Sequence, residues 1–222
     1  MKRFSVCAIA SLMVASLLTA TSALAVVITP VAATASSEGA DQSPTNLINM
    51  SGMVPSGGPG ELDDLHTNTP GAQTMWHVAG PGIFDPPPPF PHFVEFDLGG
   101  LFFLDAAHIW QMNQETLAPD RGTNRFEISV SPAAAGPFNL VGGFNLAAAG
   151  CAGDGPAQVI GGLGGVLAQR VRFDILSAHS GLNEEFVGLS EVRFEGRVIP
   201  EPAGALLLLL GVAAAAMRRV RG

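Results

Sequence analysis

The chain has 222 residues and a formal net charge of −8, a length that fits one domain or at most two. Between Val26 and Ile199 there is no Lys; six Arg stand against eighteen Asp and Glu, a net −12. A body of that sign repels nucleic acid and anionic membrane surfaces, and it suits neutral ligands, cations or cationic partners.

In chain order, residues 1–25 read as a signal peptide. "MKRF" supplies a positive start, "SVCAIASLMVASLL" an apolar stretch, and "TSALA" the small pair Ala23 and Ala25 expected just before a cut. The alternative is an uncleaved N-terminal anchor. Cleavage after Ala25 removes Cys7 and leaves Cys151 alone, so no intrachain disulfide is expected even in an oxidising compartment. Cys151 lies in the Gly-rich "AAAGCAGDGPA" without an activating context, which favours a structural or incidental role over a reactive thiol.

From Val26 to Gly196 the apolar pattern has a period of two. In "HFVEFDLGG", Val94, Phe96 and Leu98 share one face until Gly99 and Gly100 end the run. Phe126, Ile128 and Val130 alternate in "NRFEISVSP", Val171, Phe173 and Ile175 in "AQRVRFDILS", and Val192 and Phe194 in "GLSEVRFEG". These are half-buried strands, and "LDAAHIWQM", "FNLVGGF" and "AQVIGG" are weaker ones. Many short strands joined by Gly and Pro predict an all-β fold, an antiparallel sandwich or jelly roll. A body of roughly 170 residues can bury a substantial single core. The long stretch "NMSGMVPSGGPGELDDLHTNTPGAQT" has almost no regular signal, and Pro86 to Pro89 favour an extended segment.

The ordered set "NLINMSG", "TMWH", "FVEFDLGG", "IWQMNQ", "RFEISVSP", "VRFDI" and "VGLSEVRFEG" resembles discoidin-like domains, also called coagulation-factor C-type or galactose-binding-like. The resemblance covers roughly Thr34 to Gly196. It implies a jelly-roll sandwich over 26–197 whose loops at one end bind a ligand, usually a glycan. It also implies one structural calcium ion, carried over to Asn49, Ser51, Thr74 and Glu191. Asn49 stands where many relatives have Asp. Calcium takes six to eight oxygens, many of them backbone carbonyls, which a small polar loop plus a distant carboxylate can supply. The alternative is that Glu191 pairs with an Arg and the loop holds no ion.

Residues 198–222, "VIPEP", an apolar run and "MRRVRG", resemble a PEP-CTERM sorting signal. That resemblance implies processing near Pro200, Glu201 and Pro202 by an exosortase in the inner membrane of a Gram-negative bacterium, with Arg218 and Arg219 in the basic end. Ala203 to Met217 is 15 residues without a charge, short of the roughly 17–20 a spanning helix needs. The Arg-rich end stays cytoplasmic under the positive-inside rule, leaving the body outside. Five successive Leu followed by four Ala have no wet face, which argues against a buried terminal helix.

For glycan binding, His66, His77, Asn113, Gln114, Arg121, His179 and Asn183 lie at or near expected loops. Trp76 and Trp110 would make platforms, but both fit core positions better. For catalysis, Asp63, Asp64 and His66 in "DDLH" lack a second nearby His. "GGLGGV" does not match a dinucleotide fingerprint, and adjacent Glu184 and Glu185 carry no facing geometry. No nucleophile elbow or HExxH is present. The two resemblances together imply an exported, non-enzymatic binding module for extracellular polysaccharide. The alternative is a structural or protein-interaction component of the matrix that binds no glycan.

Overall fold

The computed structural model describes residues 24–57, 61–69, 74–78, 90–113, 121–150, 153–179 and 186–199, with Gly211. Ala23, Cys151, Gln114, Asn183, Glu184, Glu185, Pro86 to Pro89, Pro200, Glu201, Pro202, Arg218 and Arg219 lie outside the described residues. Among the described residues no helix is long and apolar enough to cross a membrane.

Among the described residues twelve strands appear in chain order: β1 (Val26–Ile28), β2 (Ala32–Ala35), β3 (Met53–Val54), β4 (Leu65–His66), β5 (Trp76–His77), β6 (His92–Gln111), β7 (Thr123–Ser131), β8 (Asn139–Asn145), β9 (Gly155–Pro156), β10 (Gln158–Ile160), β11 (Val166–Ala178) and β12 (Gly188–Val198). All the strand pairings are antiparallel. Nine strands form one sheet in the order β1-β12-β6-β11-β7-β8, with β10 and β2 also on β6 and β5 also on β12; β3-β4-β9 form a second. This is the jelly-roll sandwich that the alternating segments predict.

The long strand β6 joins the two layers. Its first part, His92 to Asp97, lies between β2 and β11. Its second part, through Gln111, lies between β10 and β12. Gly99 and Gly100, expected to end a strand, instead let it bend and continue. Gly99 takes φ 74°, a conformation open to Gly at no steric cost, and its N–H donates to Asp97 Oδ1 at 2.8 Å.

The core lies between the layers. Phe96 packs edge-on to Phe173 and Phe194 at centroid distances of 5.2 and 5.7 Å, and Phe126 lies 5.2 Å from Phe173. Val94, Ile109, Ile128, Val171, Ile175 and Val192 fill the spaces between the rings. Each such side chain contributes roughly 1.5–3 kcal/mol by leaving water. Trp76 and Trp110 are fully buried, with their indole N–H groups donating to Ser37 O and Asp64 O at 2.9 and 2.8 Å. They are core residues and not sugar platforms.

The front stretch is structured in a way its sequence does not announce. Pro44–Leu47 forms a 3-10 turn, with Ser43 Oγ accepting from Thr45 N. The two-residue strands β3, β4 and β9 then form the small sheet. Through Asp64 and Met50 this segment reaches the outer face of β6 and β12. Around Glu191 and Arg193 that face is consequently buried, although both read as solvent-facing, whereas Glu195 and Arg197 farther along it stay partly exposed.

Candidate functional site

At one end of the sandwich, strand ends and turns bring three predicted or neighbouring polar and aromatic groups together. His77 closes β5 and pairs with Gly188, the first residue of β12. The Gly188 N–H donates to Arg121 O at 2.8 Å, which ties the start of β12 to the turn leading into β7. A Cβ on Gly188 would sit 2.6 Å from Trp76 O and 2.7 Å from Met112 Sδ. Only Gly permits this approach, and the approach sets where Phe186 emerges two residues earlier.

Phe186 stacks nearly parallel on His77, with centroids 5.4 Å apart and an interplanar angle of 13°. The Arg121 guanidinium carbon lies 4.4 Å from the centre of the Phe186 ring. Arg121 Nη1 donates to His77 Nε2 at 3.4 Å. His77 is almost fully buried, while Arg121 and Phe186 are half-buried. Burial, aided by the neighbouring Arg121 charge, lowers the His77 pKa to about 3. The imidazole is neutral across the physiological range and can accept at Nε2. The arrangement is a neutral buried ring stacked on a half-buried aromatic, with a planar five-donor cation over the aromatic ring. It suits an uncharged, hydroxyl-rich ligand with an apolar face.

The remaining predicted ligand residues divide. His179 stands beside this cluster through its N–H to Gly122 O at 3.0 Å, but its ring is turned to Leu146 O at 2.9 Å. His66 and Asn113 are buried, 0% and 1% exposed, and are spent on each other. Asn113 Nδ2 donates to His66 O at 2.8 Å, and Asn113 Oδ1 lies 3.2 Å from His66 Nδ1. They belong to the interior and not to a ligand-facing loop. Phe186 is the residue the sequence reading missed. Its signal was an aromatic directly ahead of "VGLSEVRFEG", the segment that closes the domain.

The four residues matched to a calcium site do converge. Asn49 Oδ1 accepts from Ser51 N at 2.9 Å, shaping the first loop. Ser51 O and Thr74 O lie 3.2 and 2.8 Å from His66 Nε2. Glu191 Oε2 accepts from Met50 N at 3.3 Å, and Glu191 Oε1 pairs with Arg193. The donor set does not fit a calcium ion as it stands. The two carbonyls are directed at an imidazole, and the carboxylate is shared between a backbone N–H and a guanidinium. An ion there would have to displace both side chains. In "DDLH", Asp64 Oδ1 accepts from Ser56 N at 3.1 Å. Among the described residues no three His, Cys, Asp or Glu gather to hold a metal.

No family model matches the sequence, and no curated protein matches it. Solved structures do. The family 32 CBM (carbohydrate-binding module) of Clostridium perfringens NanJ, in complex with galactose, superposes with a TM-score of 0.51 at 14% identity. The match covers 78% of this chain and 99% of that one. CBM32-3 from a family 31 glycoside hydrolase of the same organism gives 0.52 at 17% identity, covering 73% and 88%. CpGH89CBM32-5, in complex with GalNAc-β-1,3-galactose, gives 0.51 at 17%, covering 73% and 93%. At these identities the likeness is one of fold: the discoidin-like, galactose-binding-like sandwich.

Proposed function

We propose that the protein is a non-enzymatic glycan-binding module. The observation that carries the reading is the cluster of Arg121, Phe186 and His77 at one end of the sandwich. In this reading the accessible part of the half-buried Phe186 ring takes the C–H side of a sugar, the Arg121 fork donates to vicinal hydroxyls, and His77 holds both in place. The −12 body adds no cationic field that would favour an anionic ligand over a neutral one. Two of the similar structures hold galactose or a galactose-containing disaccharide, so galactose-configured sugars are the first ligands to test.

The same reading extends to where the module works. The signal-peptide pattern of residues 1–25 and the three-part tail of residues 198–222 support export across the inner membrane. In this reading the tail anchors the chain transiently until an exosortase processes it. The module then acts on extracellular polysaccharide at the cell surface or in the matrix. Mass spectrometry of the mature protein would locate both cut ends, and intact termini would refute the export and sorting part alone. For the ligand, a glycan array followed by titration calorimetry is decisive. Saturable binding that disappears in Arg121→Ala supports the module. Saturable binding to no glycan, alongside capture of a matrix protein, would leave the protein-interaction reading.

A further inference from the structure

The convergence around His66 goes further than an ill-fitting calcium site. The residue is completely buried, and among the described residues the hydrogen-bond partners of its ring nitrogens are all oxygens. Nδ1 meets Thr67 O at 2.9 Å and Asn113 Oδ1 at 3.2 Å, and Nε2 meets Ser51 O and Thr74 O. The Asn113 amide is held with its oxygen toward the ring because its nitrogen donates to His66 O. Four oxygens from four chain segments thus face the two nitrogens of one buried ring, a lining that fits an N–H donor at either edge.

Beside it, Glu191 holds the first loop through Met50 N and is itself met by Arg193, whose side chain is 2% exposed. Gly52 closes the packing: a Cβ there would lie 2.6 Å from His66 Nε2 and 2.9 Å from Thr74 Cβ, at φ 79°. The glycine is what admits an imidazole between the loop and Thr74.

We propose that this is a cation-type site filled by the chain itself. The His66 ring takes the loop carbonyls and the Arg193 guanidinium takes the Glu191 carboxylate, so the first loop is fastened to β12 without a metal. The site is then a preformed receptor for a small imidazole-like donor once the His66 side chain is removed. This assignment does not depend on what the ligand end binds.

Thermal melting of the full chain tests it, first in EDTA and then in millimolar CaCl2. The expected wild-type midpoints agree within about 1 °C, whereas a metal at a hundred-fold excess over its Kd would raise the midpoint by about 5–10 °C. His66→Gly is expected to melt lower than wild type. Millimolar imidazole should raise the variant's midpoint by several degrees while leaving the wild type unchanged. A calcium-dependent rise in the wild type overturns the proposal, and so does a folded His66→Gly that ignores imidazole. Should that variant not fold, the wild-type comparison alone decides between the two outcomes.

Discussion

Glu191 and Arg193 lie two residues apart on β12, on the same face of the strand, and pair with their side chains 0% and 2% exposed. Alternation along β12 sends Val192 and Phe194 into the core and the charged pair outward. The segment carrying Met50 then covers that outer face, so both charges are enclosed. A buried pair is costly to assemble and more costly to break, because the survivor is left uncompensated.

Arg193→Met is therefore expected to destabilise by about 3 kcal/mol, the lower end for a broken buried pair, since the orphaned carboxyl can take up a proton. For a chain of this size that is a fall of roughly 6–12 °C in melting temperature. The double variant Glu191→Leu/Arg193→Met should recover most of the loss. Calorimetry of these two, of Glu191→Leu and of the wild type closes the cycle and gives the coupling, and a double variant no better than Arg193→Met would refute it.

The same burial sets a pH dependence. Desolvation pushes the Glu191 pKa up to about 7, against the lowering pull of Arg193 and of the Met50 N–H. The folded state therefore holds a proton that the unfolded chain releases above about 4.5. Stability from this group is complete below that value and is lost as pH rises toward 7, with a total of about 3 kcal/mol. Glu191→Gln should remove this component, so the difference between wild-type and variant unfolding free energies changes over pH 4.5–7. A constant difference would show that Glu191 does not titrate there.

How legible this was depended on strand length. Val94 to Leu98, Phe126 to Val130 and Val171 to Ile175 each complete two alternations, enough to fix a strand and its buried face. Leu65–His66 and Met53–Val54 have two residues each and no period at all, so the small sheet left no pattern to read. The covered face of β12 followed from that omission, because Glu191 and Arg193 look solvated until the front segment is laid over them. The ordered motifs did bring Asn49, Ser51, Thr74 and Glu191 to one place. The alternative, Glu191 paired with an Arg, is what Arg193 supplies, but nothing in the motifs placed His66 among them. Around Gly188, His77 and Arg121 were recognisable as polar loop residues, while Phe186 was passed over because "NEEFV" has no alternation.

If Arg121 recognises a glycan, its loss should separate binding from folding. Arg121→Ala is expected to weaken affinity at least ten-fold, since hydrogen bonds from a charged donor are worth about 1.5–3 kcal/mol. The melting temperature should move by no more than about 3 °C, because the side chain is half-buried. Arg121→Lys keeps the charge but loses the planar fork, and should bind nearly as poorly as the Ala variant. Titration of both on the best array ligand checks this, and full affinity in the Lys variant would reduce the role of Arg121 to charge alone.

His77 makes the opposite pH signature to Glu191. Its folded-state pKa is lowered to about 3 by burial and by Arg121, so the unfolded chain binds the proton first as pH falls. Its contribution to stability is whole above about 6.5 and declines by about 1.4 kcal/mol per pH unit below it, until the folded pKa is reached. Because Glu191 gains over part of the same range, each slope must be read against its own variant. His77→Phe should abolish the loss while keeping an aromatic surface for Phe186. If this cluster binds a glycan, its affinity follows a different rule, since the lowered pKa keeps the His77 imidazole neutral from pH 5 to 8. Binding measured across that range should be flat, and a decline in affinity toward pH 5 would mean that His77 is protonated in the folded site.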